Sequence, residues 1–80
     1  MRITVEAEDI RAGTRQKTTS CPVALALRRR FPDSHVYVLF RLATVGGLQY
    51  RMSDEAKYSI VAFDSGLTIE PFSFELTLIE

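Results

Sequence analysis

The apolar positions change period several times along the chain, and each change marks an element. Residues 2–7 alternate, with Ile3, Val5 and Ala7 on one face and Arg2, Thr4 and Glu6 on the other, which predicts a half-buried strand. Residues 8–13 read as one helical turn halted by Gly13. Residues 14–20, Thr-Arg-Gln-Lys-Thr-Thr-Ser, have no apolar side chain to bury and are expected to form an exposed loop. Pro22 suits the first position of a helix, where its missing N–H costs nothing, and Thr19, Ser20 or Cys21 can cap it. Val23, Leu27 and Phe31 then form the buried stripe of that helix, helped by Ala24. Arg28, Arg29 and Arg30 suit the negative end of its dipole, and Pro32-Asp33 ends it.

From His35 the period falls to two. Val36, Val38 and Phe40 alternate with Tyr37, Leu39 and Arg41, predicting a strand that runs on or bends toward Val45. Gly46-Gly47 is a hairpin turn, and Leu48, Tyr50 and Met52 alternate in the returning strand. Ser53 is placed to cap a second helix, with Asp54 and Glu55 in its first turn, Ala56, Ile60 and Phe63 on its buried face and Gly66 just past its end. Leu67 and Ile69 fall on odd positions but Phe72, Phe74, Leu76 and Leu78 on even ones, so a bulge or break is expected at Pro71. The pattern predicts one α+β domain over residues 1–80, β-α-β-β-α-β, with a mainly antiparallel sheet and two helices on one face. It does not fix the strand order.

Composition narrows the classes. The chain has 80 residues, 46% of them hydrophobic and 25% charged, which is ordinary for a globular domain. One cysteine and one histidine exclude an internal disulfide framework and a Cys/His zinc cluster. The longest apolar runs, 23–27 and 36–40, are far too short to span a bilayer, and the first residues lack a signal peptide's apolar region, so a cytoplasmic location is expected. The net charge is zero but segregated. Residues 1–51 hold nine basic and four acidic side chains, a net of +5, and residues 52–80 hold one and six, a net of −5. Between residues 10 and 32 there is no acid at all, and such a stretch concentrates anions locally.

Catalytic chemistry finds little support. A thiol at a helix start next to Arg15 and Lys17 would be activated, but Cys21 needs an organised base. His35 is the only imidazole and lies past the far end of the helix, roughly 20 Å away at 1.5 Å per residue. The adjacent carboxylates Glu8/Asp9 and Asp54/Glu55 point in different directions on a helix, and no nucleotide-hydrolysis, hydride-transfer or metalloprotease motif is present. No catalytic residue, metal or cofactor is assigned. The remaining candidate is an anion site at the start of the first long helix. Free N–H groups and the dipole would join the hydroxyls of Thr18, Thr19 and Ser20 and the charges of Arg15, Lys17 and Arg11. The competing reading is a helix cap beside a solvated loop. Zero net charge argues against a dedicated nucleic-acid binder. The apolar segment 72–79 argues for a homo-oligomer in which a second copy covers it.

The motif Cys21-Pro22-Val23-Ala24-Leu25-Ala26, with Tyr50-Arg51-Met52, Phe63-Asp64-Ser65-Gly66 and Pro71-Phe72-Ser73-Phe74-Glu75-Leu76, resembles a group of small phage and prophage proteins. The likeness covers nearly the whole chain and departs at Ser53, where the group has Leu-Pro before the second helix. It implies a phage accessory protein in the cytoplasm of an infected bacterium. By analogy with other phage proteins of this size, it implies a counter-defence factor that captures a nucleotide signal. Alternatives are an anti-CRISPR-like inhibitor that binds a host defence protein, or a structural or regulatory phage protein with no small ligand.

Overall fold

The computed structural model describes all residues, Met1–Glu80. The elements are β1 (Arg2–Val5), α1 (Ala7–Ala12), α2 (Pro22–Arg30), β2 (Val36–Val38), β3 (Leu42–Val45), β4 (Leu48–Met52), α3 (Asp54–Asp64) and β5 (Phe72–Leu78). The α+β class and the antiparallel sheet are as the pattern predicts. The segment expected as one bending strand resolves into β2 and β3. Residues 39–41 reverse the chain tightly, with the Leu39 N–H donating to the Leu42 carbonyl at 2.8 Å. The core positions accordingly switch from even (Val36, Val38) to odd (Ala43, Val45) across the turn, and Phe40, expected inside, is 60% exposed. At Pro71 the chain breaks rather than bulges: β5 begins at Phe72, and Leu67 lies in the exposed segment before it.

All four strand pairings are antiparallel, in the order β1-β5-β4-β3-β2. β5 is therefore an inner strand, hydrogen-bonded to β1 and β4, and its Phe74 and Leu76 are buried in the domain's own core. The chain thus covers the middle of the apolar segment 72–79 itself, while Leu78 and Ile79 at its end stay exposed. α3 packs on β4 and β5, whereas α2 packs on both β1 and β2, the two edges of the sheet. The sheet curls around α2, and that helix fills the gap between its edges.

The core joins Ile3 and Val5 of β1 with Val23, Ala24, Ala26 and Leu27 of α2, Val36 and Val38 of β2, and Ile60 of α3. Leu27 is completely buried, and a leucine in such a place contributes about 2–5 kcal/mol relative to alanine. Gly13 stands where α1 meets α2. A Cβ there would lie 2.7 Å from the Pro22 ring, so the close approach of the two elements demands glycine. Asp9 is the only buried charged residue. Its carboxylate accepts from the Glu6 N–H at 2.8 Å and from Arg29, tying β1, α1 and α2 together.

Candidate functional site

The start of α2 is packed rather than open. Pro22 offers no N–H, and Pro22, Val23 and Ala24 are all buried. The Ala24 N–H donates to the Cys21 sulfur at 3.4 Å and the Leu25 N–H to the Cys21 carbonyl at 3.0 Å. The donors expected to be free for an anion are thus capped by Cys21, which fills the role of the N-cap side chain. Burial pushes the Cys21 thiol above its ordinary range, outweighing the Ala24 and Val23 N–H groups that favour the thiolate. The thiol stays protonated at neutral pH.

The loop before α2 is exposed, as its composition predicts, but tied down at several points. The Arg15 Nε donates to the Phe63 carbonyl at the end of α3 (3.1 Å), and its guanidinium lies over the Phe63 ring at 5.7 Å. The Gln16 N–H donates to Asp64 at 2.8 Å, with Gln16 in the left-handed region at φ 59°. The Thr18 carbonyl accepts from the Val38 N–H on the outer edge of β2 (2.8 Å), and the Thr19 carbonyl accepts from Arg28 (3.3 Å). The Thr14 N–H closes the loop on the Ser20 carbonyl at 2.8 Å. Of the six residues singled out from sequence, Arg15 serves the end of α3. Arg11 is exposed on the last turn of α1, and Ser20 is half-buried at the loop's closure. Lys17 and Thr18 border a small cleft of about 190 Å³ with Leu39, Phe40 and Ile60. Only Thr19 reaches a larger opening.

That opening is a groove of about 650 Å³ between α2 and the edge strand β2, walled by Thr19, Leu25, Arg28, Pro32, Ser34 and His35. No carboxylate lines it. Arg28 has no ion-pair partner, and its only hydrogen bond goes to the Thr19 carbonyl, which fixes the guanidinium at the groove wall. Arg29 behaves differently. It pairs with Asp9 and Glu6 and donates to the Thr4 carbonyl on β1 at 3.1 Å. The hydrogen bond to Asp9 pushes its guanidinium still further above neutral pH. Sequence reasoning assigns all three arginines to the helix dipole and so misses Arg28 and His35. The available signal is that successive helical positions point in different directions, so the triplet cannot share one role.

No group of three or more His, Cys, Asp or Glu side chains is arranged to hold a metal ion, and no helix is long and apolar enough to cross a membrane. No protein-family model, no curated protein and no solved structure matches the chain.

Proposed function

We propose that this chain is a non-enzymatic binding protein that captures a small anionic, nucleotide-class ligand in the groove between α2 and β2. The observation that carries the reading is the wall itself: Arg28, His35, Thr19 and Ser34 face one opening without a competing carboxylate. Arg28 holds the anion, the two hydroxyls donate to it, and Leu25 and Pro32 give an apolar wall for a base or sugar. The resemblance to small phage proteins supplies the context, sequestration of a host signal in an infected cell. Isothermal titration with adenosine 5′-monophosphate and ADP-ribose tests the reading. Charge-assisted hydrogen bonds contribute about 1.5–3 kcal/mol each, so Arg28→Glu weakens binding at least tenfold while the melting temperature hardly moves. Unchanged affinity in Arg28→Glu refutes the site. The inhibitor alternative draws on the exposed Leu39 and Phe40 at the β2–β3 turn. It expects no heat with either nucleotide and recovery of a host protein in pull-downs.

A further inference from the structure

The three arginines that end α2 do not form one cluster. Positions two apart on a helix point about 200° away from each other, so Arg28 and Arg30 leave α2 on opposite sides. Arg28 lines the groove beside β2. Arg30 lines a second opening of about 370 Å³ beside β1, together with Arg2, Thr4 and Ala26. Arg29 borders both openings. Because both edges of the sheet pack on α2, the two grooves flank a single helix, and Arg29 is the residue they share. The one carboxylate that lines either groove, Glu6, faces Arg29 at 3.5 Å. Arg28 and Arg30 have no carboxylate partner, and Arg30 rests over the Phe31 ring at 5.3 Å.

Resting on the anion reading above, we infer that the two grooves take one ligand with two phosphates held apart by two nucleosides, that is, a short oligonucleotide. One phosphate lies at Arg28 and the other at Arg30. The phosphate chain of a single nucleotide does not straddle a helix about 10 Å across, whereas phosphates separated by two nucleosides do. Zero net charge counts against a long nucleic-acid track, but the charge that acts on two phosphates is local, and here it is cationic on both sides of α2.

The test compares trinucleotides of adenosine and of thymidine, each 5′-phosphorylated, with the corresponding 5′-monophosphates, by calorimetry over a salt series. The wild type binds a trinucleotide at least tenfold more tightly than its monophosphate. Its logarithmic salt slope is about −1.4, since each neutralised phosphate of a single strand contributes about −0.7. Arg30→Gln removes that advantage, halves the slope and leaves monophosphate affinity unchanged; Arg28→Gln weakens both ligands. Equal affinity for the two ligand sizes, with no effect of Arg30→Gln, overturns the inference and spares the single-groove reading. Failure of every one of these nucleotides to bind overturns both.

Discussion

Replacing Arg29 by glutamine separates the structural arginine of the triplet from its two neighbours. The change leaves the Asp9 carboxylate, 5% exposed, with the Glu6 N–H as its sole remaining hydrogen-bond donor. It also frees the Thr4 carbonyl on the edge of β1. Removing one partner of a fully buried pair costs about 3–5 kcal/mol, and an exposed pair contributes about 0–1 kcal/mol. The Arg29 side chain is 46% exposed and that of Asp9 6%, so the expected loss falls between these limits, about 2–3 kcal/mol. For a domain of this size that lowers the melting temperature by roughly 10–20 °C. Urea unfolding followed by circular dichroism measures it directly, with Arg30→Gln as the control, expected within about 0.5 kcal/mol of wild type. A double-mutant cycle with Asp9→Ala isolates the pair. A loss below about 0.5 kcal/mol in Arg29→Gln refutes the structural role. It would also remove the reason for treating Arg28 and Arg30 as the arginines free for a ligand.

Other consequences follow from the residues that precede α2 and α3. Cys21 reacts with a disulfide reagent only through opening of the fold, at a rate that tracks global unfolding; fast stoichiometric labelling of the native protein contradicts its burial. Folding raises the pKa of this thiol, so above about pH 8.5 the native state holds more protons than the unfolded one, and the stability that Cys21 contributes falls as pH rises. Cys21→Ser removes that slope, seen as the wild-type-minus-variant difference in unfolding free energy between pH 7 and 10. Ser53 precedes α3 as expected, but its side chain makes no capping hydrogen bond to the helix backbone. Its hydroxyl accepts from the Glu75 N–H at 2.9 Å, joining the start of α3 to β5, and its interaction with the Glu55 carboxyl holds that group below its ordinary range. Ser53→Ala therefore costs about 1 kcal/mol and moves the Glu55 titration upward in an NMR pH series, and an unmoved titration contradicts the contact.

The parts of the fold legible in the sequence are those with a local cause. Pro22 marks the first turn of α2, Gly46 and Gly47 carry the positive φ values of their hairpin, and Ala56, Ile60 and Phe63 disclose the buried face of α3. The turn between β2 and β3 contains Leu, Phe and Arg with no glycine, proline, asparagine or aspartate, so the alternation runs through it without a visible stop. Its trace is the shift from even to odd core positions, which requires knowing that Val36 pairs with Val45. β5 reads as an apolar strand in need of cover because nothing local says that β1 and β4 flank it. The candidate site illustrates the same limit. Residues 14–20 are exposed for a compositional reason, but the direction of Arg15 is set by the end of α3, far along the chain. Arg28 and His35 share an opening only because β2 returns beside α2.

The central claim is that the anion site lies between α2 and β2 and not in the loop before the helix. A backbone amide NMR titration of the full chain with adenosine 5′-monophosphate tests it most directly. The account predicts that the shifting resonances cluster at Thr19, Arg28, Ser34, His35 and Val36, with Arg15 and Lys17 nearly still, and that Arg28→Glu abolishes the response. Shifts centred on Arg15, Lys17 and the first turn of α2, or no shift at all, would contradict it.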